Sequence, residues 1–324
     1  MESPRSNIQV GVVGVGSMGQ HHARVLSEMP RVDFVGVYDP DHGRAAEICG
    51  RFGGRAFASL EDLLGHVEAL TIAAPTTLHA ELAIKCLEKN CHVLVEKPLA
   101  HSVRSAEALV EAANARGKTL MVGHIERYNP AVQALLEHLA CVAEPVLAVD
   151  ARRLSPFDGS RCLDVDVLHD LLVHDLDLAL EIANSDIVQI SAVGRSVFSD
   201  KLDMSHVRIL FANKTWASFT TAKCSPKKTR SLTVCTPSRV LEADTIARSL
   251  VIHTAHELPD LRSRSCFMAD IQSQNVAVED KEPLQVELED FVSAILDARP
   301  PIVDAARGLK VLKALEAIAD VIRG

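Results

Sequence analysis

The sequence predicts an α/β protein. Residues 1–123 read as a doubly wound parallel sheet, and residues 124–303 as an α+β domain with a large, mostly antiparallel open sheet. A helix over 304–324 is expected to pack back on the first domain. Three observations carry this. Short apolar runs alternate with helical patterns in the first third, the signature of a parallel sheet covered on both faces. A glycine-rich turn joins the first strand pattern to the first helical one. Beyond residue 123 the rhythm changes, and strand patterns crowd together with few helices between them.

The elements follow in order. "IQVGVVGV" (8–15) is a β-branched run of the kind found in buried parallel strands. It enters Gly14-Val15-Gly16-Ser17-Met18-Gly19, and then "QHHARVLSEM", which has helical spacing. The next strand pattern, "VDFVGVYDP", ends in Asp39. After it come helix "GRAAEICGRF", helix "SLEDLLGH", strand "ALTIAAP", helix "LHAELAIKCLEKN", strand "CHVLVEKP", helix "SVRSAEALVEAANARG" and strand "KTLMVG". In the second part, helix "NPAVQALLEHLA" precedes the β-rich runs "VLAVDARRL", "IVQISAVGRSVFS", "SHVRILFAN", "TWASFTTAK", "TRSLTVCTP" and "SRVLEADTIARSLVIHT". The tail "DAARGLKVLKALEAIADVIR" is amphipathic. No internal repeat or low-complexity linker interrupts the chain.

Bulk properties narrow the function. At 324 residues the chain can bury two cores. Its 48% apolar and 24% charged content is that of a globular protein. A net charge of −9 argues against nucleic-acid and anionic-membrane partners, which want basic surface. No apolar run is long enough for a membrane span, and the start "MESPRSN" is no signal peptide, so a cytoplasmic protein is expected. The eight cysteines form no CxxC and fall mostly in apolar stretches, where they read as small hydrophobes rather than metal ligands.

The glycine turn has the context that dinucleotide binding requires. A strand precedes it, a helix follows, and an acidic residue closes the next strand about twenty positions on. Gly14, Gly16, Ser17, Met18 and Gly19 would let backbone N–H groups at a helix start approach a pyrophosphate. Asp39 would accept from ribose hydroxyls and repel a 2′-phosphate, which favours NAD over NADP. Pro75, Thr76 and His79 follow the fourth strand at the same ligand-bearing edge, though His79 reads equally as a first-turn residue facing water. Glu96-Lys97-Pro98 ends the fifth strand there. Proline restricts Lys97 to an extended conformation, so its ammonium is either aimed at a ligand or half of a surface ion pair.

One helix of the second domain is chemically loaded: "DVDVLHDLLVHDLDLALEIA". Asp170 and His174 are four apart and Asp177 three further, so an α-helix would place them near one face. Histidine has the intrinsic pKa of a general base, and a carboxylate can orient it; the same pattern also reads as a solvated acidic face. A metal set of His169, Asp170, His174 and Asp175 is the poorer reading, because neighbouring positions point apart; no metal is expected.

Taken together these residues resemble the glucose–fructose oxidoreductase/inositol dehydrogenase/MocA-like family over nearly the whole chain. The shared features are "GVGSMG", Glu96-Lys97-Pro98 and "DLLVHDLD" over 170–177. The resemblance implies an NAD-dependent oxidoreductase with the nicotinamide between the two domains. Lys97 and His174 would share the proton work on the substrate hydroxyl, with either as acceptor and Asp170 in support. A narrower likeness, in "MVGHIERYNPAV", "ARRLSPF", "DLLVHDLD" and "KKTRSLTV", runs to enzymes that oxidise C3 of UDP-N-acetylglucosamine. Arg152, Arg153, Lys227, Lys228 and Arg230 would then offer cations to a diphosphate, with Arg153, Lys228 and Arg230 the candidate substrate contacts. Those enzymes usually carry a glycine where this chain has Asp166. A free sugar, inositol or other cyclic polyol is the alternative substrate, and a non-catalytic NAD-binding regulator the alternative class. An open sheet face needs covering, which predicts a homo-oligomer, either dimer or tetramer.

Overall fold

The computed structural model describes residues 7–156, 165–255 and 271–324. The chain forms two compact units, Met1–Ile125 with Glu282–Lys313, and Glu126–Lys281 with Ala314–Gly324. Residues 282–303, expected in the second domain, therefore cluster with the first unit.

The first unit opens with β1 (Ile8–Val13), α1 (Gly19–Glu28), β2 (Val32–Tyr38), α2 (His42–Phe52), β3 (Arg55–Ala56) and α3 (Leu60–Leu64). It continues with β4 (Ala69–Ile72), α4 (His79–Glu88), β5 (His92–Glu96), α5 (Val103–Arg116) and β6 (Leu120–Gly123). The strands pair in parallel in the order β3-β2-β1-β4-β5-β6. Helices cover both faces of such a sheet, so its strands carry no solvated face: every residue of the central β4, and of β6 at the edge, is buried. Side chains set the helix starts. Asp41 Oδ1 accepts from Arg44 N at 3.0 Å, and Ser59 Oγ from Asp62 N at 3.1 Å. Strand order reverses between β1 and β4, which opens a crevice beyond their carboxyl ends.

The second unit contains α6 (Pro130–Val142), β7 (Ala148–Leu154), a π-helical turn (Leu168–Leu172) running directly into α7 (Val173–Ala183), and β8 (Ile187–Arg195). Then come β9 (Met204–Phe211), β10 (Trp216–Ala222), β11 (Thr229–Cys235), β12 (Arg239–Asp244), β13 (Ser249–Ala255) and β14 (Ile271–Val276). These eight strands form one sheet in the order β14-β13-β12-β11-β7-β10-β9-β8. Every pair is antiparallel except β7 with β10. The run expected over 238–254 is two strands, β12 and β13, turning at Thr245–Arg248. Alternation shows which face is covered. In β9, Ser205, Val207, Ile209 and Phe211 are buried, while Met204, His206, Arg208 and Leu210 are exposed. The helices α6 and α7 pack on the buried side, and Val193, Leu210 and Trp216 stand exposed on the sheet.

Two helices complete the chain: α8 (Pro283–Leu296) and α9 (Ala305–Arg323). The sequence reading did not anticipate α8, which packs on α1 in the first unit and buries Leu288 and Phe291. Of the cysteines, 49, 86, 91, 141, 224 and 235 are free thiols, and 162 and 266 lie outside the described residues. Among the described residues no helix is long and apolar enough to cross a membrane.

Candidate active site

A cleft of about 710 Å³ lies at the carboxyl ends of β1, β4 and β5. Its lining includes Gly14, Gly16, Ser17, Met18, Asp39, Pro75, Thr76, His79, Glu96 and Lys97, every residue expected at a cofactor except Gly19. Gly19 acts from beneath: a Cβ there would stand 1.8 Å from the Gly14 carbonyl oxygen. Gly14 has φ +82°, and a Cβ on it would meet Ala74 N at 2.9 Å. Gly16 differs, since a Cβ there would meet nothing within 4 Å. The protein's own backbone thus requires Gly14 and Gly19, whereas Gly16 leaves space for what enters the cleft. A pyrophosphate at the start of α1 fits that space.

Asp39 is mostly buried, and its two oxygens accept from Val15 N at 2.8 Å and Asp41 N at 2.9 Å. A carboxylate has about four acceptor sites, so capacity remains for ribose hydroxyls. His79 does not point to water. Its ring nitrogens lie 2.9 Å from the Pro98 carbonyl and 2.8 Å from the Ala74 carbonyl, stitching the two cleft loops together. Burial pulls its pKa below the ordinary value, against the pull of both carbonyls.

Lys97 precedes Pro98 across a cis peptide bond. Its backbone N–H donates to Glu96 Oε2 at 3.2 Å, and Glu96 Oε1 lies 3.0 Å from Nε2 of the fully buried His22. Burial pushes the Glu96 carboxyl up, but His22 and Lys97 outweigh it and hold its pKa below the ordinary value. Glu287 of α8 belongs to the same cluster. It is wholly buried, neither oxygen has a hydrogen-bond partner, and burial, Glu96 and Asp290 together push its pKa well above the carboxylate range. Sequence reasoning missed both His22 and Glu287. Only a histidine on the apolar side of α1 hinted at the first, and the second lay on an unrecognised helix.

In the second unit Asp170 and His174 are both partly exposed, but Asp177 turns away from them. The turn from Leu168 to Leu172 is π-helical, so a continuous α-helical wheel does not apply across it. Asp177 is buried against Arg127, at 3.5 Å, and Arg127 also meets Glu181 at 2.8 Å. Asp175 is buried against Arg153, which donates to it from Nε at 2.9 and 3.0 Å and from Nη2 at 2.7 Å. The remaining Arg153 nitrogen, Nη1, donates to Glu126 at 2.8 Å. Arg153, expected on the substrate, is thus engaged inside the unit. Arg230 donates to the Leu154 carbonyl at 2.7 Å and to Ser155 Oγ at 2.9 Å; burial and then Arg153 push its pKa down to about 10, so it remains charged near neutrality. Lys228 is exposed.

Asp166 does not stand as a bare negative charge. Its Oδ1 accepts from Leu168 N and His169 N, both at 2.9 Å, and lies 2.8 Å from His169 Nδ1. Burial raises its pKa, but these bonds outweigh it and the net shift is downward. Asp170 is bound by Lys223 at 3.1 Å, a partner that no sequence pattern announced. The poorer metal set is dispersed, with His169 on Asp166 and Asp175 on Arg153. Among the described residues no group of three or more His, Cys, Asp or Glu could hold a metal ion.

Comparison with known proteins bears on the family of the chain. Residues 8–124 match the GFO/IDH/MocA model, described as an oxidoreductase family with an NAD-binding Rossmann fold. UDP-N-acetylglucosamine 3-dehydrogenase of Acidithiobacillus ferrooxidans is 32% identical over 313 residues, 95% of each chain. A solved structure of that enzyme superposes with a TM-score of 0.89 at 30% identity, covering 98% of each chain. Inositol 2-dehydrogenase of Rubrobacter xylanophilus is 35% identical over 200 residues, 60% of this chain and 57% of that one. Similarity that runs end to end, with a glycine turn and cleft shaped for a dinucleotide, shows that the chain belongs to the GFO/IDH/MocA oxidoreductase family and is an NAD-dependent dehydrogenase.

Proposed function

We propose that the protein oxidises a ring hydroxyl of a sugar, C3 of a UDP-N-acetylhexosamine, to a 3-keto sugar nucleotide. The observation that carries this reading is similarity over 95% of the chain to an enzyme named for that reaction. Gly14, Gly16, Ser17, Met18, Gly19 and Asp39 hold NAD, which when bound supplies the hydride acceptor. Pro75, Thr76, His79 and Glu96 complete its surroundings. Lys97 and His174 share the proton work on the hydroxyl, one as acceptor and the other stabilising the oxygen as charge develops on it, with Asp170 in support. Arg230 and Lys228 are the cations offered to a diphosphate. A second copy of the chain covers the exposed sheet face around Trp216, so the working form is a homo-oligomer.

The test is the near-ultraviolet absorbance of reduced nicotinamide, followed with cofactor-free protein, NAD and UDP-N-acetylglucosamine. A rise that needs the sugar nucleotide is expected, with inhibition by free UDP. Lys97→Ala should lower turnover at least ~100-fold, the scale of lost general acid–base catalysis, while NAD binding stays nearly intact. Turnover retained in that variant would remove Lys97 from the chemistry. The partial likeness to inositol 2-dehydrogenase supports a second reading, a cyclic polyol substrate. A rise with inositol that free UDP does not inhibit would favour it.

A further inference from the structure

Lys223 follows β10 by one residue and is fixed at both ends. Its backbone N–H donates to the Asp203 carbonyl at 2.8 Å. Its ammonium donates to the Val165 carbonyl at 2.6 Å and pairs with Asp170 Oδ2 at 3.1 Å. Only 13% of the Lys223 side chain and 25% of the Asp170 side chain are exposed, so water shields this pair less than a surface bridge. The carbonyl lies just before the π-helical turn and the carboxylate within it, so one ammonium clamps both. Asp166 ties down His169 in the same turn. Asp170 and His174 stand four residues apart where the π turn passes into α7.

We propose that Lys223 is a positioning residue: it holds the Asp170 carboxylate and offsets its charge, and so sets the proton affinity of His174. This rests on the reading of His174 and Asp170 as dehydrogenase residues. A histidine that accepts a proton must begin neutral. The charge of a carboxylate four residues before it would favour the imidazolium, and the ammonium held on that carboxylate opposes this. Arg230, whose charge also feels Asp170, adds to the cationic side, and the His169–Asp166 pair lies on the same turn.

The experiment is a histidine proton-NMR titration of the full-length protein without cofactor, with the His174 resonance identified by its loss in His174→Gln. Lys223→Met should raise the His174 midpoint by about one pH unit, because an offsetting cation is gone. Asp170→Asn should lower it, and Lys223→Arg should leave it near the wild-type value. The acid limb of kcat/KM should move up in Lys223→Met by the same interval. A His174 midpoint that is the same in Lys223→Met and the wild type overturns the proposal, as does one that Asp170→Asn leaves in place. If the midpoint moves as expected but no sugar forms reduced nicotinamide with wild-type protein, the coupling stands and the dehydrogenase role of His174 falls.

Discussion

Replacing Glu287 by Gln should make the protein more heat-stable, by a margin that widens as pH rises. Glu287 is wholly buried in the first unit, neither oxygen is hydrogen-bonded, and Glu96 and Asp290 are like-charged neighbours. A carboxylate in that place would lack both water and a counterion, so the native state keeps it protonated. In the unfolded chain it ionises around the ordinary value of 4.5. Above that pH the native state holds one proton more than the unfolded state. Wild-type stability therefore falls by about 1.4 kcal/mol per pH unit relative to the variant, until the raised native pKa is reached. Gln has no proton to lose, and groups common to both proteins cancel in the difference. For units of this size, each pH unit should widen the gap in Tm by roughly 3–5 °C. Paired calorimetric melts from pH 5 upward measure it. A gap that stays constant with pH would show Glu287 ionised in the folded protein and refute the reasoning.

The glycine turn and the buried ion pairs give two further tests. Gly16→Ala should melt like the wild type yet lose most NAD affinity, whereas Gly19→Ala should lose both stability and affinity, since its Cβ would collide with the Gly14 carbonyl; fluorescence-monitored NAD titration and thermal melts separate the two, and equal melting losses would contradict the geometry. Arg153→Met leaves Asp175 and Glu126 without their shared cation and should cost about 3–5 kcal/mol by denaturant unfolding. A loss under ~1 kcal/mol, the scale of an exposed pair, would mean that water reaches the site.

The first unit was legible because its signals are local. The glycine turn, Asp39 at a strand end and apolar runs without polar alternation each follow from neighbours in sequence, and the strand order then places them around one cleft. The second unit was legible as a class, but its parallel β7–β10 pair arises from contacts between segments more than sixty residues apart. Asp177 and Arg153 departed from expectation for related reasons. A π turn rotates the helix away from the ideal wheel, and a cation on a strand was claimed by carboxylates on other elements. Helix α8 escaped because its buried side includes Glu287 and Asp290, which interrupt the apolar stripe that marks a helix.

The return of residues 282–313 to the first unit leaves residues 126–281 inserted within it, and residues 314–324 cross back to the second unit. A ribosome therefore delivers the dinucleotide-binding half in two instalments, with residues 126–281 between them. Until the second instalment emerges, the face of α1 that α8 will cover stays open to solvent or chaperone. A chain cut short after the insertion would lack Leu288 and Phe291 under its own cleft-bearing half. Completion of that half thus waits on residues 282–313, and chains that stop before them should be poor at retaining NAD and ready substrates for proteolysis.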